Sequence, residues 1–513
     1  MIAIRSSLRG LAAATLALAI AAPSTGSAQQ TEPVTLDALR ERIAEIENLP
    51  GLGRGQIAVC IVDVAGREVI LARNAQRAMA PASVLKLVTS AAGLARLGPE
   101  YTWKTHLQTV GTVNDQGVLD GTLILKGSGD PTLGSWRFEA DGFPGLTAWT
   151  DLAAKAVADA GIKTIQGDVL ADASIFSDQL IPDDWTWDDI GNYYAAGVAG
   201  VNLHENLYHL DFQIPNRQGD PTTITDIRPA QTGVAFHNRV TAGPSGSGDR
   251  AYIYSAPYAR LAVVRGTLPS DAGTYSIRGA IQDPALFAAR ELVAALNRAG
   301  IEVTGKPAGT FQQPRLGEGE RNTLWTHTSP PLSRVAFWLN KQSVNLFAEA
   351  VTLTLAVEEG RTGTTNNGTE VTIEILKSLG VDTTGMILAD GSGLSRRNAV
   401  TARQVCSILE RMTAHPSFPT FFDSLPAAGV PDDPSSFSSL GVDTPAANNL
   451  RAKSGFIGHV RAYAGYVEDA SGRQLAFCLI ANGFPGSSAP VTNAFKDLMV
   501  DLASLTDEEM PAP

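Results

Sequence analysis

Two segments that read as β-hairpins lie near opposite ends of this chain, and they constrain the fold more than any other feature. The first pairs Gln56–Asp63 with Glu68–Ala72 across the turn Ala65-Gly66-Arg67. The second pairs Val460–Glu468 with Gln474–Ala481 across Asp469-Ala470-Ser471-Gly472. Apolar, β-branched runs bounded by turn residues are the strand signal. The expectation is one antiparallel sheet to which both ends of the chain contribute.

The chain between them changes texture twice. A helix-like Leu36–Ile46 precedes the first hairpin, and Pro81-Ala82-Ser83-Val84-Leu85-Lys86 opens an Ala/Leu-rich helix that Gly98-Pro99 ends. Residues 101–310 then carry short alternating segments: Gly121–Lys126, Gly167–Asp172, Leu207–Ile214, Thr222–Ile227 and Tyr275–Ile281. Helices interrupt them at Thr147–Ala160 and Pro284–Ala299. From residue 311 helices return at Pro331–Asn340, Asn345–Val357, Glu370–Leu379, Ala402–Ala414 and Val491–Leu505. The reading is an α/β (α+β) domain, an antiparallel sheet flanked by helices. It is built from residues 29–100 and 311–513 and interrupted by a β-rich insertion, residues 101–310, of two subdomains.

Residues 1–28 read as a signal peptide. Arg5 and Arg9 precede the apolar stretch Leu11–Ala22, and Gly26-Ser27-Ala28 offers a cleavage site. The mature chain shows no second apolar run near membrane-spanning length, so a soluble periplasmic protein is expected. With 40 Lys+Arg against 52 Asp+Glu the formal net charge is −12, and there is no basic run, which argues against nucleic-acid binding. Hydrophobic residues make up 44%, enough for a large core without disulfides. Cys60, Cys406 and Cys478 read as buried thiols; a Cys60–Cys478 bridge would require their strands to be neighbours with suitable geometry.

Much chemistry is excluded by absence. The seven histidines show neither HExxH nor zinc-ligand spacing, and there is no Gly-x-Ser-x-Gly elbow. Gly300–Lys306 imitates a phosphate loop but is followed by Pro307 where a hydroxyl should hold magnesium. Neither a metal nor an organic cofactor is implied. What remains is serine–lysine chemistry. Of ten lysines only Lys86 has a serine three residues before it, Ser83. On a helix those positions share a face, and a desolvated amine can act as base to the hydroxyl. A second element, Ser343-Val344-Asn345, falls at the break between two apolar helices. A third, Lys453-Ser454-Gly455, lies just before the terminal hairpin; its cation and hydroxyl suit a peptide carboxylate, and its glycine lets a substrate backbone approach. Each alone has a bland structural explanation, as helix start, cap or solvated turn. In this order they match the three-motif set of the penicillin-recognising serine enzymes.

Flanking stretches narrow the resemblance: Gly127-Ser128-Gly129-Asp130-Pro131-Thr132-Leu133, Ser329-Pro330-Pro331-Leu332-Ser333, and Asp390-Gly391-Ser392-Gly393-Leu394-Ser395-Arg396-Arg397-Asn398. With them the chain resembles the class C low-molecular-mass penicillin-binding proteins of the penicillin-binding protein 4 type, D-alanyl-D-alanine carboxypeptidase/endopeptidases acting on peptidoglycan stem peptides. The long separation of Ser83 from Ser343 is similar to that group's large insertion. The resemblance implies Ser83 as nucleophile, Lys86 as its base, Ser343 with Lys453 as proton relay to the leaving amine, and Asn345 on the substrate's peptide group. It implies Ser454 on the terminal carboxylate, with the N–H groups of Ser83 and Phe456 as oxyanion hole. By the same analogy Asp189 and Arg396 would contact the diaminopimelate side chain. Ser454 stands where that group more often has Thr, which keeps the hydroxyl. β-Lactams would be covalent inhibitors. The alternatives are a β-lactamase-like hydrolase and a catalytically silent wall-binding scaffold. Against the first, no Glu-x-x-x-Asn lies between Asn345 and Lys453; against the second, all three motifs are intact.

Overall fold

The computed structural model describes residues 33–49, 52–313 and 319–506. The expected signal peptide lies outside the described residues. The two hairpins join as anticipated. Five antiparallel strands run in the order Arg451–Ile457, Val460–Glu468, Gln474–Asn482, Gln56–Asp63, Glu68–Arg73. The two hairpins meet along Gln56–Asp63 and Gln474–Asn482, whose register sets Cys60 opposite Cys478.

Both central strands are apolar at nearly every position because both faces of the sheet are covered. Ala58, Cys60 and Val62 join one core with the helices Leu85–Leu97 and Ala402–Thr413. Ile57, Val59 and Ile61 join a second core with Leu36–Glu47 and Ala489–Ala503. Side chains of a strand alternate between faces, so a continuous apolar run is what a sheet between two helical layers needs. Cys60, Cys406 and Cys478 are free, buried thiols, and Cys406 Sγ lies 3.3 Å from the Cys60 carbonyl oxygen.

The intervening region holds three sheets around one hydrophobic core, which also takes in the helices Leu146–Asp159 and Pro284–Arg298. Its largest sheet places Lys104–Val113 between Val118–Lys126 and Arg321–Thr328. The last of these strands lies beyond residue 310, so this sheet draws one strand from the part of the chain expected to belong to the closing region. Two three-stranded sheets complete the region: Ala235–Gly243, Leu261–Pro269 and Arg250–Tyr254, and Thr274–Ala280, Leu207–Gln213 and Thr223–Arg228. Trp103 secures the junction with the helical layer. Its N–H bonds Ser329 Oγ at 2.9 Å and its indole N–H bonds Thr354 Oγ1 at 3.0 Å.

Candidate active site

The place of Ser83, the expected nucleophile, is set by a turn and a helix. Ala82–Val84 forms one 3₁₀ turn that leads into the α-helix Leu85–Leu97. Ala82 has φ 47°, in the left-handed region that L-residues seldom occupy, and the next residue is Ser83. Lys86, one helical turn on, is fully buried. Its Nζ donates to Ser83 Oγ at 3.1 Å, Asn345 Oδ1 at 2.5 Å and the Ser392 carbonyl at 2.6 Å. Burial lowers its pKa from 10.5 to about 7, against the opposing pull of Asp390 and Glu349. At neutral pH much of the population is therefore a free amine in contact with the serine hydroxyl.

The second motif sits in the short link between the helices Leu332–Lys341 and Asn345–Glu358. Ser343 is half-buried with φ 58°, and its hydroxyl makes no hydrogen bond among the described residues. Asn345 is held at both ends of its amide: Oδ1 accepts from Lys86, and Nδ2 donates to the Tyr194 carbonyl at 2.6 Å. Lys341, just before the motif, forms a buried ion pair with Asp433. Asp433 Oδ2 also accepts from the Ala427 N–H at 3.2 Å, so this pair fastens the loop after Pro431 to the second motif.

The third motif lies on the edge strand Arg451–Ile457. Lys453 is buried, and burial with the nearby Lys86 charge holds its pKa well below the usual lysine value. Its Nζ donates to the Ser454 carbonyl at 2.7 Å. Ser454 is half-buried, and Phe456 is 57% exposed with the Arg461 guanidinium 4.4 Å from its ring centroid. A Cβ on Gly455 would lie 2.6 Å from the Pro81 carbonyl oxygen and 3.1 Å from the Ser83 nitrogen. The close approach this glycine permits is thus to the turn that carries Ser83. It sets the third motif directly against the first.

Two acids organise the floor of the site: Asp390, which opens the Asp390–Asn398 stretch, and Glu349, which no motif singled out. Asp390, fully buried, accepts from the N–H groups of Gly393 at 2.8 Å and Ser395 at 2.6 Å, the Asn398 amide at 2.7 Å and the Trp185 indole at 2.9 Å. Glu349 accepts from Gly391 N–H at 3.0 Å and Ser392 N–H at 2.9 Å. These bonds aim the Ser392 carbonyl at Lys86. Burial, then the Asp390 charge, pushes the Glu349 pKa up to about 8. Its signal in the sequence was one acid inside the otherwise apolar helix Asn345–Glu358.

Asp189 and Arg396 lie at the rim. Asp189 accepts from Thr186 Oγ1 at 2.7 Å and the Tyr194 hydroxyl at 3.1 Å, one residue from the carbonyl that holds Asn345. Arg396 is exposed, and its guanidinium lies 3.5 Å from where a Cβ on Gly458 would stand, in the turn between Arg451–Ile457 and Val460–Glu468. The neighbouring Arg397 pairs with Asp184 at 2.8 Å, linking that loop to the segment bearing Asp189.

Comparison with known proteins shows the family. Residues 39–505 match the model of the D-Ala-D-Ala carboxypeptidase 3 (S13) family. A D-alanyl-D-alanine carboxypeptidase of an Actinomadura species is 31% identical over 93% of this chain and 86% of its own length. The D-alanyl-D-alanine carboxypeptidase DacB of Haemophilus influenzae is 28% identical over 81% of this chain and 83% of its own. The crystal structure of penicillin-binding protein 4 from that organism superposes with a TM-score of 0.77 at 25% identity, covering 90% of this chain and 99% of the other. The chain belongs to the D-Ala-D-Ala carboxypeptidase 3 (S13) family, the class C low-molecular-mass penicillin-binding proteins.

Proposed function

We propose that the protein hydrolyses the D-Ala-D-Ala amide of peptidoglycan stem peptides through an acyl-enzyme on Ser83. The observation that carries this reading is the buried Lys86 amine, bonded at once to Ser83 and Asn345 and poised near neutrality. Lys86 takes the Ser83 proton as Oγ attacks the carbonyl. The oxyanion is received by the N–H groups of Ser83 and Phe456, on the two elements that Gly455 holds in contact. Ser343 passes a proton to the leaving D-alanine, with Lys453 behind it. Asn345 orients the substrate's peptide group, and Ser454 meets its terminal carboxylate. Water then cleaves the ester. Asp189 and Arg396, at the rim, receive the amino and carboxylate groups of a diaminopimelate side chain.

The work is extracytoplasmic, where the peptidoglycan lies. We place it in the periplasm, with residues 1–28 as the export signal. Among the described residues no helix is long and apolar enough to cross a membrane. β-Lactams acylate Ser83 and stay bound. A structure of the Haemophilus penicillin-binding protein 4 is complexed with a β-lactam. Glu349, the acid nearest in kind to a lactamase base, spends its oxygens on the Gly391 and Ser392 N–H groups. Endopeptidase cleavage of cross-links uses the same steps on a longer leaving group. The test is covalent labelling with fluorescent penicillin together with digestion of purified wall fragments. Wild-type protein takes a long-lived label and releases D-alanine, and Ser83→Ala does neither. Rapid turnover of a chromogenic cephalosporin would reject the assignment in favour of a lactamase.

A further inference from the structure

A groove of about 780 Å³ runs beside the catalytic cleft, within the intervening region. Trp136, His204, His209, Arg228 and Arg278 line it, with the first turn of the helix Leu146–Asp159. Its volume is that of a site for a small molecule or a short peptide. It shares two walls with the cleft. On one side Arg137, next to Trp136, hydrogen-bonds Gln342, next to Ser343. On the other, the Arg278 guanidinium stacks 4.2 Å from the Tyr193 ring centroid, and the next residue, Tyr194, gives its carbonyl to Asn345.

The lining carries two guanidinium groups, Arg228 and Arg278, and one carboxylate, Glu139, and the Arg278 charge also acts on the buried Glu205. Arg228 is neutralised by Asp211, at 2.7 and 2.9 Å. Arg278 has no ion-pair partner among the described residues, and its charge opens onto the groove. His209 adds a ring nitrogen; the His204 Nδ1–H is turned to the Gly134 carbonyl at 3.4 Å, and Trp136 and His204 stand edge to face, 4.9 Å apart. Gly145 caps the lining helix with no side-chain bond, so its first N–H groups add further donors. The one acid of the lining is Glu139, beside Gly145. A guanidinium with ring and backbone donors, in a groove tied through Gln342 and Tyr194 to the candidate active site, suits a carboxylate of the same polymer.

We propose that this groove is a second substrate site, in which Arg278 and His209 hold a carboxylate-bearing stem peptide of the wall polymer adjacent to the one being cut. The proposal rests on the peptidase reading above. It makes the enzyme prefer polymeric wall to free peptides, because two arms of one polymer bind with the gain of effective concentration.

The test uses the mature protein and its Arg278→Gln and His209→Gln variants, on two substrates: purified peptidoglycan sacculi and a short soluble peptide ending in D-Ala-D-Ala. For sacculi, Arg278→Gln is expected to raise KM about fivefold at unchanged kcat, since one partly exposed charge contact is lost. His209→Gln should act in the same direction. Hydrolysis of the short peptide and the rate of penicillin labelling should stay within about twofold of wild type, and added salt should raise the wild-type KM for sacculi toward that of the variant. On sacculi whose side-chain carboxylates are amidated and whose terminal D-Ala carboxylates are left free, the difference between wild type and variant should vanish. Equal losses on both substrates, or none on either, would overturn the proposal. So would a preference removed by stripping phosphate polymers from the sacculi and not by amidation. A wild-type protein that neither cuts the short peptide nor takes the penicillin label would overturn the peptidase reading first.

Discussion

Replacing Gly455 by alanine tests how closely the edge strand must press on the nucleophile turn. The new methyl would stand 2.6 Å from the Pro81 carbonyl oxygen and 3.1 Å from both the Ser83 and Val84 nitrogens, all backbone atoms that no rotamer change can move. Reaching ordinary carbon–oxygen contact requires the two elements to part by about 0.8 Å. The strand can yield at its Gly455 end: its ladder runs to Val460–Glu468, and its other edge is tied at its start, where Ala427 bridges Arg451 and the Ala452 N–H donates to the Pro426 carbonyl at 2.9 Å. Its yielding separates the Ser83 and Phe456 N–H groups and draws Lys453 away from Lys86. A misplacement of 1 Å costs an enzyme about a hundredfold, so 0.8 Å is expected to cost about 40-fold, or roughly 2.2 kcal/mol on the barrier. The assay is the second-order rate of acylation by fluorescent penicillin, with thermal melting alongside it. Gly458→Ala is the control on the same hairpin, since its methyl would meet nothing nearer than the Arg396 guanidinium at 3.5 Å. Wild-type acylation by Gly455→Ala, or an equal slowing by Gly458→Ala, would refute the reasoning.

Acylation should also follow the protonation of Lys86. Below about pH 7 its amine carries the proton and cannot accept another from Ser83, so the rate should fall about tenfold per pH unit and level off above neutrality. A rate flat between pH 5 and 9 would remove Lys86 from the role of base. Asp433→Ala should leave the buried Lys341 ammonium unpaired beside the second motif, costing about 3–5 kcal/mol in urea unfolding. A loss below about 1 kcal/mol would mean that water reaches the lysine and that the loop is not fastened there.

Local chemistry wrote much of this protein plainly. Val460–Glu468 and Gln56–Asp63 were legible as strands because their apolar runs end in turn residues. Their merger into one sheet followed from the hairpins' placement at the two ends. Ser83 and Lys86 declared themselves because helical spacing puts them on one face. Less legible were Lys104–Val113 and Arg321–Thr328, whose mixed polar and apolar residues become strands only when each finds the other. Glu349 and Asp390 were harder still. An acid in an apolar helix and an acid in a Gly/Ser loop mean little until folding brings the loop's N–H groups onto their oxygens.

The sequence by itself determined which groups can react and which stretches are strand or helix, since hydroxyl, amine and periodicity are properties of neighbouring residues. Only the tertiary structure decided that Lys86 is dry, bonded to Asn345 and able to lose its proton, and that Gly455 faces the Ser83 turn. A shifted pKa and a close backbone approach depend on what surrounds a group in space, and those surroundings come from segments hundreds of residues away along the chain.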